Sequence, residues 1–136
     1  MHKSVFINLP VTDLPKSKAF YTAIGFTNNP QFTDDTAACM VWSETINVML
    51  LTHAKWKTFT SRPIPASDSS EVLLALTCDS KHMVDHMNAQ AAAHGGIADV
   101  NPLQDLGFMY NRNLADPDGH VWEAFWMDMA AMPKAT

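Results

Sequence analysis

The segment Asn113-Leu-Ala-Asp-Pro-Asp-Gly-His-Val-Trp-Glu-Ala-Phe-Trp126 contains a turn between two short runs that are typical of β-strands. In its Asp-Pro-Asp-Gly motif (116–119), proline fixes φ at the second position, aspartate can accept a backbone hydrogen bond, and glycine tolerates unusual backbone angles. The motif predicts a hairpin in which residues 110–115 fold back onto residues 120–127. Glu123 is an ionisable residue in the middle of the second, otherwise apolar arm, so it is a candidate functional residue.

Composition restricts the class of protein. The chain has 136 residues, of which 47% are hydrophobic and 17% charged, and this predicts one folded domain or two small modules sharing a core. The formal net charge of −5, with scattered Lys and Arg, argues against a nucleic-acid partner. The sequence has no apolar run long enough to span a membrane, and residues 1–8 lack the apolar region of a signal peptide. We therefore expect a cytoplasmic protein with no membrane partner, in which Cys39 and Cys78 are buried, reduced thiols.

The first part of the chain predicts the element order β-α-β-β-β. Residues 3–11 alternate like a strand, and Thr12 or Asp13 then caps a helix that ends at Gly25. Three further strands are predicted at residues 26–33, 37–43 and 46–52. We assign residues 1–60 to a first βαβββ module. The Pro- and Ser-rich residues 61–70 read as a linker.

The same order returns in the second part. A strand is predicted at residues 71–78, and a helix capped by Asp79 or Ser80 ends at Gly95-Gly96. A short strand at 97–100 and the hairpin follow. Residues 71–128 therefore form a second βαβββ module, and residues 129–136 read as a loose C-terminal tail. The repeat rests on the pattern of elements, not on identity between the halves.

A doubled βαβββ pattern that closes on Asp-Pro-Asp-Gly-x-x-x-Glu resembles the vicinal oxygen chelate superfamily. The superfamily includes glyoxalase I, extradiol dioxygenases, and bleomycin- and fosfomycin-resistance proteins. Residues 8–26, Asn-Leu-Pro-Val-Thr-Asp-Leu-Pro-Lys-Ser-Lys-Ala-Phe-Tyr-Thr-Ala-Ile-Gly-Phe, resemble its opening strand and helix. More narrowly, the chain is similar to bacterial glyoxalase-like or lactoylglutathione lyase-like proteins. The resemblance implies an α+β fold in which two modules form a curled, cup-shaped mixed sheet with helices on the outer face.

The resemblance also implies where a metal would bind. Metal-dependent members carry ligands on the first and last strands of each module, and these positions fall here on Phe6, Leu50, Leu73 and Glu123. Glu123 alone among these four has a side chain that can coordinate a metal, whereas divalent first-row ions need three or four N, O or S ligands. The sequence therefore predicts no cofactor and no intact metal site.

Counting across the hairpin gives a second hypothesis for Glu123. If the turn contains two residues, Glu123 lies opposite Arg112 and Phe125 lies opposite Tyr110, with each pair on one face. The Glu123–Arg112 pair could close the sheet, or Arg112 could bind a ligand's anionic group while Glu123 orients it. A third interpretation makes Glu123 a general base.

The same count predicts which side chains line the cup. We expect Trp122 and Trp126 to point outward, against the helices. The expected lining residues are Phe6, Asn8, Val48, Leu50, Leu73, Ala75, Thr77, Tyr110, Arg112, Val121, Glu123 and Phe125. This mostly apolar set is typical of a small-molecule pocket and equally of a plain core.

These observations leave three hypotheses for function. The first is a protein that binds a small organic ligand in the cup without a metal, through residues such as Tyr110, Asn8 and Arg112. The alternative is a metal-dependent lyase, isomerase or dioxygenase that uses Glu123 with Asn8, His53 or His120. The third is a structural dimer module whose cup is filled by its own side chains. The resemblance implies a homodimer.

Overall fold

The computed structural model describes residues 3–131 of the chain. It contains eight strands and three helices in that range, in the order βαβββα followed by βαβββ. The strands are β1 Val5–Val11, β2 Thr27–Asn29, β3 Ala37–Val41, β4 Ile46–Thr52, β5 Leu74–Thr77, β6 Gln104–Asp105, β7 Met109–Ala115 and β8 Val121–Met127. The helices are α1 Leu14–Ile24, α2 His53–Trp56 and α3 Lys81–Ala93.

The strands form two four-stranded mixed sheets of identical topology. The first sheet has the order β1-β4-β3-β2 and the second has the order β5-β8-β7-β6. In each sheet the first and last strands of the module are parallel, while the other pairs are antiparallel. The predicted fold class, an α+β protein of two βαβββ modules, is confirmed.

Local sequence accounts for the bounds of the two long helices. The Asp13 carboxylate accepts a hydrogen bond from the backbone N–H of Lys16 at the start of α1. Gly25 ends this helix with a φ of 122°, which favours glycine. The Ser80 hydroxyl caps α3 by accepting from the backbone N–H of Met83. These caps satisfy N–H groups that have no partner within the helix.

One hydrophobic core lies between the two sheets and the helices. Tyr21 on α1 makes edge-on contacts with both Phe26 and Trp122, with ring centroids 5.3 Å and 6.0 Å away. Trp122 is fully buried and its indole N–H donates to the Tyr21 hydroxyl at 2.9 Å. Trp126 packs against the same core, so both tryptophans lie on the helix-facing side of the second sheet, as predicted. The core therefore joins the two modules.

The hairpin turn forms where the sequence predicts it, but it is one residue longer than expected. The backbone N–H of Asp116 donates to His120 O at 2.9 Å, so the turn encloses three residues. Glu123 is consequently opposite Asn113, and Arg112 is opposite Ala124. The predicted pairing of Glu123 with Arg112 is wrong, because a shift of one residue moves a side chain to the other face of the sheet.

The same turn contacts the first module. The Asp118 carboxylate accepts from the backbone N–H and the hydroxyl of Thr12, at 3.0 Å and 2.8 Å. The Tyr21 hydroxyl donates to Asp116 at 2.6 Å, and a His120 ring nitrogen lies 2.8 Å from Pro10 O. Burial raises the pKa of the Asp116 carboxyl. We call residues 116–120 the clasp, because they connect the second module to the first.

Three other segments differ from expectation or extend it. The strand predicted at 97–100 is reduced to a single bridge between Ile97 and Ala115, because Asp99 has a φ of 51°, which is incompatible with a strand. Residues 57–73 between α2 and β5 contain no helix or strand. Of the predicted tail, Met129–Ala131 forms one 3-10 turn. Residues 132–136 lie outside the described part. No helix in residues 3–131 is long and apolar enough to cross a membrane.

Candidate functional site

Glu123 lies on the face of the second sheet that is turned away from the helices. Its neighbours across the sheet are Asn113 and Ala75, whereas Trp122 and Ala124 point into the core. Glu123 is half-buried, and its carboxylate makes no hydrogen bond or ion pair with any other side chain of the described residues. Phe125 shares this face by strand alternation. The predicted catalytic role of Glu123 stays a prediction.

Arg112 and Tyr110 lie on the opposite, helix-facing side, so their predicted place beside Glu123 is wrong. Arg112 forms ion pairs with Asp85 of α3 at 2.9 Å and with Asp99 at 2.7 Å. The Tyr110 hydroxyl donates to Asp85 at 2.5 Å. The hydrogen bonds from Tyr110 and Arg112 lower the pKa of the Asp85 carboxyl, and those from Arg112 lower the pKa of Asp99. This cluster fastens α3 and the 97–101 loop to β7.

The first sheet also corrects part of the predicted lining. Leu50 and Val48 are fully buried on the helix-facing side, because they lie opposite Leu9 and Ile7 in the parallel β1–β4 pair. Phe6 and Asn8 alternate with these core residues and therefore face away from the helices. Phe6 is 52% exposed. Leu73, which immediately precedes β5, is 61% exposed.

The residues at the implied metal positions do not fit a metal centre. Phe6, Leu50 and Leu73 have no donor atom, and Leu50 is enclosed in the core. Within residues 3–131, no three His, Cys, Asp or Glu side chains are placed to hold a metal ion. Glu123 alone cannot supply the three or four ligands that a divalent first-row ion requires.

Residues 57–73, which we call the connecting segment, join the two modules. A cavity of about 660 Å³ lies between β1, this segment and the start of β8. Its walls are mostly apolar. The apolar side chains are Ile7, Leu9, Pro10, Trp56, Pro63, Pro65, Val72, Leu74 and Val121, and the polar ones are Asn8, Thr60, Arg62, Ser69, Ser70, Glu71 and His120. We call this space the main cavity. A mostly apolar cleft with a few polar groups is typical of small-molecule sites.

Of the residues predicted to bind a ligand, Asn8 lines the main cavity and the others do not. Trp56 and Arg62 were missed as site residues, because the four-residue helix α2 is too short to show a periodic pattern and Arg62 lies in a segment without one. The sequence gives only a weak indication for Trp56, which is a large aromatic residue close to the predicted linker at residues 61–70. Its indole N–H is buried and has no hydrogen-bond partner among the described residues.

Gly119 holds the connecting segment against the clasp. Its φ is 89°, and a Cβ atom at this position would overlap the carbonyl of Ser67. Ser69 and Ser70, which follow Ser67 in the chain, line the main cavity together with Val121. The Asp-Pro-Asp-Gly motif therefore shapes one wall of the candidate site as well as the hairpin.

Comparison with known proteins gives three results. Residues 3–43 match the family model described as bleomycin resistance protein-like N-terminal. A search of curated proteins found no match. Among solved structures, a hypothetical protein from S. aureus is 26% identical, with a TM-score of 0.76 over 93% of this chain and 95% of the other.

Two further structures are similar in fold. A glyoxalase/bleomycin resistance protein/dioxygenase family enzyme from Burkholderia phytofirmans PsJN is 17% identical, with a TM-score of 0.75 over 93% of this chain and 99% of the other. A genomically encoded fosfomycin resistance protein from Listeria monocytogenes is 15% identical, with a TM-score of 0.65 over 100% and 96% of the two chains.

The fold consists of paired βαβββ modules, with an open, mostly apolar cavity beside the edges of the two sheets. The N-terminal match and the solved structures confirm the resemblance predicted from the sequence. The chain therefore has the fold of glyoxalase/bleomycin resistance/dioxygenase proteins, and its residues 3–43 resemble a bleomycin resistance protein-like N-terminal domain.

Proposed function

We propose that this protein binds a small organic molecule in the main cavity without the help of a metal. The observation that carries the proposal is the cavity itself, which has a volume of about 660 Å³ and predominantly apolar walls. That volume is within the range of sites for drug-sized ligands, and burial of apolar ligand surface there is favourable. The N-terminal likeness to bleomycin resistance proteins fits a role in binding.

Metal-dependent lyase, isomerase or dioxygenase chemistry has weaker support. The reason is the lack of metal ligands. Phe6 and Leu73 occupy positions where the metal-dependent pattern requires ligands, and within residues 3–131 Glu123 belongs to no group of three side chains that could hold a metal ion. Asn8 and His120 line the main cavity, and one ring nitrogen of His120 lies within hydrogen-bond distance, 2.8 Å, of Pro10 O. Elemental analysis of protein purified without an affinity tag tests this part. Stoichiometric Zn, Ni, Mn or Fe, with an activity lost on chelation, would overturn the metal-free proposal.

Binding itself is tested with phenylnaphthylamine, a neutral apolar dye whose fluorescence rises in apolar surroundings. We expect saturable binding of one dye per chain to the wild-type protein. Val72→Asp places a carboxylate in the apolar wall at a residue that is 55% exposed, so the fold is expected to tolerate it. Burying that charge beside the dye is unfavourable, and the dye affinity falls by about tenfold.

Leu106→Asp is the matched control for the dye experiment, since Leu106 is similarly exposed and lies outside the cavity lining. We expect its dye affinity to equal that of the wild type. Equal losses in the Val72 and Leu106 variants, or no saturable binding to the wild type, would count against a ligand site in the main cavity.

We also propose that the protein is a cytoplasmic homodimer. Phe6 and Leu73 are exposed apolar side chains beside the outer edges of the two sheets, and such surface is often covered in an assembly. Cys39 and Cys78 are both buried and unbonded, which suits a reducing compartment. Light scattering tests the assembly: the wild type should have twice the chain mass and Phe6→Asp the mass of one chain. A wild-type monomer would refute it.

A further inference from the structure

A second cavity, of about 530 Å³, adjoins the main cavity and has a different chemical character. The two share Thr60, Arg62 and Pro63 in their walls. The second cavity is otherwise lined by His53 and Lys57 and by the start of the connecting segment. We call it the basic cavity. Arg62 therefore stands at the boundary between an apolar space and a polar one.

The basic cavity concentrates positive charge in a protein whose formal net charge is −5. Its lining contains His53, Lys57 and Arg62 and no Asp or Glu. Within residues 3–131, neither Lys57 nor Arg62 forms an ion pair with a carboxylate. Unpaired cations around a concave space favour an anion, because a guanidinium and an ammonium both donate charge-assisted hydrogen bonds to it.

Glu71 is the acidic residue of the main cavity, and it is not part of the basic cavity. Glu71 comes from the far end of the connecting segment, beside Val72, and it does not line the basic cavity. An anionic group in the basic cavity thus avoids Glu71, whereas a cationic group there would meet Lys57 and Arg62. The distribution of charge therefore favours an anionic group in the basic cavity and disfavours a cationic group there.

Helix α2 and the residue that follows it contribute side chains to both cavities. His53, Trp56 and Lys57 are three and four residues apart, a spacing that brings side chains to one side of a helical turn. Trp56 lines the main cavity, whereas His53 and Lys57 line the basic one. A single turn of chain therefore presents an aromatic wall to one space and a positive charge to the next.

We propose that the ligand is an amphipathic anion, with an apolar body in the main cavity and a carboxylate-, sulfonate- or phosphate-like group bound by Lys57 and Arg62. This inference rests on the proposed function and adds the chemical class of the ligand. A neutral apolar ligand would leave the basic cavity unused. A cationic ligand would find its favourable partner in Glu71, at the opposite end of the segment.

Two dyes that share one aromatic skeleton test the proposal. Anilinonaphthalenesulfonate carries a sulfonate that phenylnaphthylamine lacks. The variant K57E/R62E reverses both charges of the basic cavity, and K3E/K18E is the matched control, because Lys3 and Lys18 lie outside both linings and the overall charge changes equally. Each exposed ion pair contributes roughly a two- to fivefold change in affinity. We expect K57E/R62E to weaken sulfonate dye binding by about tenfold.

The neutral dye separates this inference from the proposed function. Lys57 lines only the basic cavity, so in the single variant K57E the affinity of the neutral dye should change less than about twofold while that of the sulfonate dye falls by about two- to fivefold; K3E/K18E should bind both dyes like the wild type. Equal weakening of both dyes in K57E, or equal effects of the two double variants, would overturn the anion-binding role. Failure of the wild type to bind either dye would overturn the proposed function as well. Far-UV circular dichroism of each variant checks that the fold is retained.

Discussion

Replacing Gly119 with alanine tests how firmly the connecting segment is held over the candidate site. Gly119 has a φ of 89°, and a Cβ there would overlap the Ser67 carbonyl and approach its Cα. Gly107 is a matched control, because its φ is 82° and a Cβ there would have no neighbour within 4 Å. The two substitutions share the same backbone strain, and only Gly119→Ala adds the steric overlap.

The magnitudes follow from these two components. An alanine forced to a positive φ costs about 1–2 kcal/mol, and this sum applies to both variants. An overlap with backbone, which cannot rotate away like a side chain, adds about 1–3 kcal/mol. We therefore expect the free energy of unfolding to fall by about 1–2 kcal/mol in Gly107→Ala and by about 2–5 kcal/mol in Gly119→Ala.

Urea unfolding followed by circular dichroism measures both losses, and dye titration measures the effect on the site. Displacement of Ser67 also moves Ser69 and Ser70, which line the main cavity, so Gly119→Ala should weaken phenylnaphthylamine binding while Gly107→Ala should not. Equal losses of stability in the two variants would refute the reasoning. That result would mean that the connecting segment yields freely and does not form a fixed wall.

Two further predictions concern the core and the ion pairs. Trp122→Phe removes a buried indole and its hydrogen bond, so the free energy of unfolding should fall by about 2–3 kcal/mol. Trp56→Phe removes an N–H that has no partner among the described residues, so the free energy of unfolding should fall by about 1 kcal/mol or less. Equal losses of the two variants in urea unfolding would contradict this prediction. Arg112→Met should lower stability at pH 7 by about 1 kcal/mol, since Asp85 and Asp99 remain 49% and 39% exposed. The folded-state pKa of each carboxyl is below its unfolded value, so this contribution is present above about pH 4 and lost as the pH falls through the folded pKa. Thermal melts from pH 7 to pH 2 should therefore converge for wild type and Arg112→Met, with Lys18→Met as control, and parallel curves would refute it.

The sequence predicted the two modules because their signals are local. Strand alternation, the caps at Asp13 and Ser80, and glycine at the end of a helix depend on residues that are close together in the chain. The Asp-Pro-Asp-Gly motif predicted a turn for the same reason. Trp122 and Trp126 were placed on the helix-facing side correctly, since that prediction relied on alternation within one strand.

The errors concern relations between strands. A turn of three residues and a turn of two fit the same motif, and the difference moved Arg112 and Tyr110 from one face of the sheet to the other. Leu50 was misplaced for a similar reason, because its face depends on the register of β4 against β1. The walls provided by Trp56 and Arg62 could not be predicted from periodicity, since α2 has only four residues and the connecting segment has no repeating pattern.

The clasp has a consequence for the way the chain folds. Thr12 and Asp118 are separated by 106 positions, and Pro10 and His120 by 110. Contacts at such separations slow folding, because a long loop must close before they form. During synthesis the first module leaves the ribosome before the hairpin residues that contact it have been made. Until then the side of the Tyr21 ring that packs on Trp122 stays exposed to solvent. Strand β8 thus completes the surroundings of α1, and a chain interrupted before residue 116 would leave both modules unfinished.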